Sequence, residues 1–327
     1  MARYRQRLPQ MDGRLFLTDG GIETSMIAHE GLGLREFAVF PLLSTPEGEA
    51  ALRRYFGTYC EIARRSGLGL VLETATWRAS ADWGAMLGFT RETLRELNLK
   101  AVRLLEELRS EYDHDPEARE EQTTQVVISG CLGPRRGGFE PASAMSDREA
   151  RDYHREQIET FAGANVDMIG ALTLDNAGEA VGIAWAAEAA GMPVAISFTV
   201  ETDGRLATGQ SLRAAVEKVD EVTSAYPSYY MVNCAHPSHF GAALTDGGSW
   251  VERVRGLRAN ASRLSHAELD ALAEPDAGDP EELSREYAQL MQRLPHLNVL
   301  GGCCGTDHRH IAYIAAVCAP LFHNELK

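Results

Sequence analysis

The sequence lacks the surplus of basic residues that nucleic-acid-binding proteins carry. Its 327 residues include 32 lysines and arginines against 47 aspartates and glutamates, a formal net charge of -15. A chain with this balance has no basic face to neutralise phosphate groups, and an anionic membrane surface would repel it. We therefore expect neither a nucleic acid nor a membrane among its partners.

Long apolar runs and a secretion signal are also absent. No stretch is long and apolar enough to span a bilayer, and the basic residues Arg3, Arg5 and Arg7 are not followed by the apolar segment of a signal peptide. Cysteine is scarce as well, since six residues in a chain of this length are too few for a disulfide scaffold. These absences predict a cytoplasmic protein with reduced thiols.

Apolar runs typical of buried strands alternate with helical segments along the whole chain. The predicted strands are 14–21, 69–76, 125–131, 168–174, 193–200, 229–234, 256–262 and 298–304. Strands that alternate with helices indicate a parallel sheet. Eight such units in a chain of this size predict a closed (β/α)8 TIM barrel that forms one domain over residues 1–327.

An open, doubly wound sheet is the alternative fold. Its dinucleotide-binding form carries a GxGxxG turn after the first strand, whereas the turn here is Asp19-Gly20-Gly21, which argues against a dinucleotide site. Some connecting segments show no helical pattern, and we interpret these as loops: 77–88, 113–124, 133–144 and 266–279.

Two adjacent cysteines, Cys303 and Cys304, lie among glycines at the end of the eighth predicted strand, and Cys234 ends the sixth. Neighbouring strand residues point to opposite faces, so both thiols reach one point only where glycines let the backbone turn. Three thiolates would form a zinc site with an open fourth position, as in catalytic zinc sites. A redox or packing role is the alternative, and we interpret Cys60, Cys131 and Cys318 as core residues.

Catalytic residues of a (β/α)8 barrel lie at the carboxyl ends of its strands. The sixth and eighth strands are two apart on the ring, so the barrel interpretation favours a metal shared by the three cysteines. Polar residues at the other strand ends are the candidate substrate contacts: Asp19, Glu73, Thr74, Ser129, Thr173, Thr199, Glu201, Asn233 and Asn260.

Three thiolates offset the charge of zinc and make it a weak Lewis acid for activating water. A substrate thiol at the open position would instead lose its proton at neutral pH and remain nucleophilic. The site therefore predicts alkylation of a small thiol by a donor that is already electrophilic, and a sulfonium methyl group fits. Asp19, Glu73 or Glu201 could hold the positive charge of either substrate.

The motifs Leu17–Gly21, Val232–Cys234 and Gly301–Thr306 together resemble, in this order, the zinc-dependent homocysteine S-methyltransferase family, whose members act in methionine biosynthesis. The resemblance implies a (β/α)8 barrel and methyl transfer to zinc-bound homocysteine. It also assigns site residues by correspondence: the zinc ligands are Cys234, Cys303 and Cys304, and the pocket residues include Asp19, Gly20, Gly21 and Asn260.

The chain departs from the family pattern at two strand ends. Members commonly carry Thr-Asn-Thr after the second strand, where this chain has Thr74-Ala75-Thr76 preceded by Glu73. They also carry Glu-Thr after the fourth strand, where the glutamate holds the homocysteine ammonium and this chain has Leu172-Thr173. Either another carboxylate (that of Glu73, Asp175 or Glu201) replaces it, or the acceptor is another thiol.

In length, the chain resembles the compact family members that use S-methylmethionine or S-adenosylmethionine more than it resembles the cobalamin- or betaine-dependent members. Two alternatives to this activity remain. One is a zinc- or redox-responsive binding barrel without turnover, and the other is a methyltransferase served by a separate corrinoid protein. The chain could also form a homo-oligomer.

Overall fold

The computed structural model describes residues 2–113, 124–136, 145–245 and 247–324. Eight parallel strands pair in chain order, and β1 also pairs with β8, so the sheet closes into a barrel. The strands are β1 (Phe16–Leu17), β2 (Gly69–Glu73), β3 (Val126–Leu132), β4 (Met168–Leu174), β5 (Val194–Phe198), β6 (Tyr229–Asn233), β7 (Val254–Ala259) and β8 (Val299–Gly302). This topology confirms the predicted (β/α)8 barrel.

Helices lie between successive strands and pack on the outside of the barrel. They are α1 (Ile22–Ala28), α2 (Pro46–Ser66), α3 (Ala81–Met86), α4 (Arg91–Asp113), α5 (Asp147–Ala162), α6 (Ala177–Ala189), α7 (Leu212–Thr223), α8 (Pro237–Thr245), α9 (His266–Asp270), α10 (Pro280–Arg293) and α11 (His308–Asn324). Within the described residues, no helix is long and apolar enough to cross a bilayer.

The barrel interior is a packed core and not a channel. Apolar side chains from several strands meet there, among them Phe16, Val71, Val127, Met168, Met231 and Val299. Gly256 makes room for one of them, since a β-carbon at that position would lie 2.4 Å from the Met231 side chain. The filled interior leaves the carboxyl ends of the strands as the place for a site.

The helix ends follow local sequence signals. The side chain of Thr45 caps α2, and Gly67 ends it in the left-handed conformation with a φ of 63°. Ser146 and Glu149 form the predicted capping box of α5.

The loop prediction was wrong for two segments. Residues 77–88 contain α3, and residues 266–279 contain α9, which Ser265 and Glu268 cap reciprocally. The predicted loops at 113–124 and 133–144 lie largely outside the described residues. The predicted strand over 14–21 shortens to two residues, because only Phe16 and Leu17 pair with both neighbouring strands.

Candidate active site

Three thiols converge at the carboxyl ends of β6 and β8. The Sγ atoms of Cys234, Cys303 and Cys304 all lie within 4.8 Å of one another, and those of Cys234 and Cys304 are 3.7 Å apart. Cys234 is buried, whereas Cys303 and Cys304 are partly exposed. The cluster therefore has one accessible side.

The backbone around the cysteines is too crowded for side chains at the flanking glycines. A β-carbon on Gly301 would lie 1.8 Å from the Thr18 hydroxyl, and one on Gly302 would lie 2.1 Å from the Thr306 hydroxyl. Gly305 has a φ of 77°, and Cys234 itself has a φ of 56°. Glycine at these positions, and a left-handed residue at Cys234, bring thiols from two strands to one point.

The donor set fits a tetrahedral zinc ion. Zinc–sulfur bonds of about 2.3 Å place two ligand sulfurs about 3.8 Å apart at the tetrahedral angle, close to the 3.7 Å between Cys234 and Cys304. Hydrogen bonds from the Cys234 and Cys304 thiols lower the pKa of Cys303 well below its usual range. Three soft ligands and one accessible side are what a catalytic zinc site requires.

A cavity of about 70 Å³ opens directly onto the thiols. The structure places most of the predicted site residues in its lining, namely Asp19, Gly20, Gly21, Glu73, Thr74, Thr173 and Asn233, together with Cys234, Cys303 and Cys304. Four predicted contacts lie outside this lining. Asn260 lines an adjoining cavity with Cys234 and Cys304, whereas Ser129 and Thr199 line neither cavity. Glu201 lines neither of these cavities and pairs with His266 at 3.3 Å.

Asn233 links the thiol cluster to β4 and β5. Its side-chain oxygen accepts hydrogen bonds from the Thr173 amide at 2.8 Å and the Ser197 hydroxyl at 2.6 Å. Its amide nitrogen donates to the Thr173 hydroxyl at 2.8 Å and lies 3.9 Å from the Cys303 sulfur. These contacts hold Thr173 in place at one side of the cavity, where its backbone has a left-handed φ of 64°.

The sequence interpretation missed Arg258, which organises the charges of the cavity. This side chain is 5% exposed and donates to Asp19 Oδ1 at 2.6 Å and to the Gly302 carbonyl at 3.2 Å. It also lies 3.9 Å from Glu73. A signal existed, because Arg258 is a charged residue inside the otherwise apolar strand β7, two positions before the predicted site residue Asn260.

Burial dominates the ionisation of the two glutamates in the cavity lining. It raises the pKa of Glu73 to about 7, although the charge of Arg258 opposes the change. It raises the pKa of Glu23, a residue that the sequence interpretation also missed, to about 8. Glu23 lies in the first turn of α1, a helix that the sequence did not predict.

Among the three carboxylates considered as replacements for the family's fourth-strand glutamate, Glu73 alone lines the cavity. Its Oε2 atom has no hydrogen-bond partner among the described residues. Asp175 accepts a hydrogen bond from Asn176 at 2.9 Å and lies outside the cavity lining. Leu172 does line the cavity, and its carbonyl accepts from the Trp77 indole at 3.3 Å.

The protein is a parallel (β/α)8 barrel whose three convergent thiols, at the carboxyl ends of the strands, could hold a soft metal ion. The family model for homocysteine S-methyltransferase matches residues 16–318, and the chain belongs to that family. It is therefore a methyltransferase.

Individual relatives agree with this assignment. Homocysteine S-methyltransferase 4 of Zea mays is 23% identical over 93% of this chain and 89% of its own length. Betaine–homocysteine S-methyltransferase 1 of Bos taurus is 29% identical over 54% of this chain, which spans 46% of the bovine protein.

Solved structures of the homocysteine methyltransferase MmuM from Escherichia coli share the fold. The oxidised form superposes with a TM-score of 0.74 at 21% identity, over 94% of this chain and 97% of that one. The metallated form gives a TM-score of 0.72 at 20% identity, over 94% and 98%.

Proposed function

We propose that this enzyme is a zinc-dependent S-methyltransferase that transfers a methyl group from a sulfonium donor to homocysteine, giving methionine. The convergence of the Cys234, Cys303 and Cys304 sulfurs within 4.8 Å at the mouth of a barrel cavity is the observation that carries the proposal. When bound, zinc would keep an acceptor thiol ionised at neutral pH.

The residues of the chain would position the acceptor. The cavity of about 70 Å³ is too small for a whole methyl donor but suits the amino-acid end of a small thiol. The unpartnered Glu73 carboxylate oxygen is the group that we assign to the acceptor ammonium. The Glu73 carboxylate on β2 would take the role of the family's fourth-strand glutamate, in whose place this chain has Leu172 on β4.

The transfer itself is a displacement at carbon. The acceptor sulfur, having lost its proton to solvent, supplies the electron pair of the new sulfur–carbon bond. The bond from the methyl group to the donor sulfur breaks, and its electron pair stays on that sulfur, which leaves as a neutral thioether. The chain contributes by aligning the reactants and by excluding water.

The test is mass spectrometry of the products after zinc-loaded protein is mixed with homocysteine and either S-methylmethionine or S-adenosylmethionine. We expect methionine from the unaltered protein, and neither zinc nor product with Cys304→Ala. Cys318→Ala, which removes a buried thiol from α11, should retain both. Bound zinc without product from any sulfonium donor would instead favour a thiol-binding barrel that has no turnover.

A further inference from the structure

Cys234 leaves β6 in a backbone conformation that its side chain disfavours. Its φ of 56° lies in the left-handed region, which few residues other than glycine adopt. The Cys234 amide donates to the Arg258 carbonyl at 3.1 Å, so the residue continues the pairing with β7 before the chain turns away. A conformation of this kind persists only where the surrounding structure holds it.

Two side chains hold the carbonyl group of Cys234. The Nε2 atom of His266 lies 2.5 Å from the Cys234 oxygen, and the Thr199 hydroxyl donates to the same oxygen at 3.3 Å. A carbonyl oxygen can only accept, so the His266 nitrogen carries a proton and donates it. Because the Cys234 amide is bonded to β7 as well, both peptide groups of this residue are held.

Glu201 orients the His266 ring through its other nitrogen. The Glu201 Oε2 atom lies 3.3 Å from the His266 Nδ1 atom. Glu201 is itself placed by the turn after β5, where its amide donates to the Arg205 carbonyl at 2.7 Å and its carbonyl accepts from the Gly204 amide at 2.9 Å. Carboxylates orient metal-ligating histidines in the same way. The pairing gives Glu201, a predicted site residue that lines neither cavity, an indirect connection to the thiols.

The local sequence determines where His266 lies. It is the first residue of α9, and the reciprocal cap between Ser265 and Glu268 fixes the start of that helix. The His266 side chain is 12% exposed, so water competes little with the Cys234 carbonyl for its proton. The connection after β7 thereby brings an imidazole to a peptide group at the end of β6.

We propose that His266, oriented by Glu201, is a positioning residue that keeps the Cys234 thiol in place for the metal. The inference rests on the proposed function, in which Cys234, Cys303 and Cys304 hold zinc. Without the hydrogen bond from His266, the Cys234 backbone would relax toward a negative φ, and its sulfur would leave its place 3.7 Å from the Cys304 sulfur. In this role His266 acts on the metal through the peptide group of a ligand.

The metal affinity of His266 variants tests this proposal. Competition with a chromogenic chelator measures zinc affinity, and the absorption spectrum of the cobalt(II)-loaded protein reports the geometry of the thiolate ligands. We expect His266→Ala to shift the cobalt bands and to weaken zinc binding by about 10–100-fold, the range typical for loss of a group that supports a metal ligand. His266→Gln places an amide donor near the position of Nε2 and should restore most of the affinity. Glu201→Ala keeps the donor but frees the ring, so its loss should be smaller.

His296→Ala is the matched control. The His296 Nε2 atom also donates to a backbone carbonyl, that of Val251 at 2.9 Å, but near the amino ends of β7 and β8, on the opposite face of the barrel from the thiols. This variant should change neither the zinc affinity nor the cobalt spectrum. Urea denaturation of the metal-free proteins measures what each histidine contributes to stability alone. If circular dichroism shows that His266→Ala does not fold, Glu201→Ala carries the test.

The outcomes separate this inference from the proposed function. If His266→Ala lowers stability but leaves zinc affinity and the cobalt spectrum unchanged, the histidine is merely structural and the inference is overturned, whereas methionine formation by the unaltered protein would stand. No recovery in His266→Gln would also overturn it, because the proposal requires the donated hydrogen bond. Weakened zinc binding in His266→Ala, with no methionine from the unaltered protein, would support the inference and count against the proposed reaction. Absence of zinc binding by the unaltered protein would overturn both.

Discussion

Arg258 shows how the charges of the site depend on one side chain. It is buried between Asp19 and Glu73, so it neutralises carboxylates that come from β2 and from the turn after β1. Removal of one member of a buried ion pair leaves an uncompensated charge, which usually costs more than the pair itself contributes.

Replacement of Arg258 by methionine should therefore lower the free energy of unfolding by about 3–5 kcal/mol. Urea denaturation monitored by circular dichroism would measure the loss. Arg213→Met breaks an exposed pair with Glu217 within α7 and should cost less than about 0.5 kcal/mol. Similar losses from the two variants would mean that the Arg258 cluster is solvated and unimportant for stability.

The raised pKa of Glu73 predicts the pH dependence of acceptor binding. The proposed role requires the ionised carboxylate, so kcat/KM for homocysteine should fall as the pH is lowered through about 7. Glu73→Gln should have a lower kcat/KM throughout and should lack this acidic limb. The acceptor without an amino group, 4-mercaptobutanoate, serves as the control substrate and should show no difference between the two proteins. A persistent limb in the variant would assign the titration to another group.

The free energy of unfolding should also depend on the ionisation of Glu73, but in the opposite direction. Activity should rise as the pH rises through about 7, whereas stability should fall. Below pH 4.5 the carboxyl group is protonated in both the folded and the unfolded chain, and Glu73 contributes no difference. Above about pH 7 it is ionised in both, and the folded state bears the full cost of a buried charge. The unaltered protein should lose at most about 3 kcal/mol relative to Glu73→Gln as the pH rises through this window.

The sequence predicted residues whose signal is local and missed residues whose role depends on distant partners. The cysteines stood out because glycines flank Cys303 and Cys304, and the Asp19 turn follows an apolar strand. Arg258 was missed because its meaning comes from Asp19, which is 239 positions away along the chain. A charged residue inside an apolar strand was the available signal. The partner that neutralises its buried charge, Asp19, becomes known only from the closed barrel.

At the scale of elements, apolar runs located the strands because each buried strand must be covered on both faces. Short helices gave weaker signals. The segment around α9 is rich in acidic residues and was interpreted as an acidic loop, although Ser265 and Glu268 carry the spacing of a capping box. The local spacing of the cap therefore indicated the helix better than the acidic composition of the segment did.

Loss of the α9 cap should have a local effect. Ser265→Ala removes the acceptor for the Glu268 amide, and we expect faster amide hydrogen exchange over residues 266–271 with little change in global stability. Ser211→Ala removes the equivalent cap of α7, a longer helix with a buried face, and should lower the free energy of unfolding by about 1 kcal/mol. An equal global loss in both variants would show that α9 unfolds together with the barrel.

For the whole molecule, the position of the thiols couples metal binding to closure of the barrel. Cys234 follows β6, and Cys303 and Cys304 follow β8, while β7 lies between and pairs with both strands. The β8 strand also pairs with β1 and completes the ring. A metal held by the three thiols would cross-link strands that are distant in sequence, and only the folded chain brings these ligands together.

Removal of the proposed zinc ion should therefore lower the thermal midpoint of the whole barrel and not only loosen the site. A ligand that binds the folded state alone stabilises it by about 2.7 kcal/mol at a free concentration one hundred times its Kd. Differential scanning calorimetry with and without a chelator would measure the shift, and re-addition of zinc should reverse it. In Cys304→Ala the chelator should have no effect. If the midpoint of the unaltered protein is unchanged while zinc is fully removed, the metal does not bridge β6 and β8.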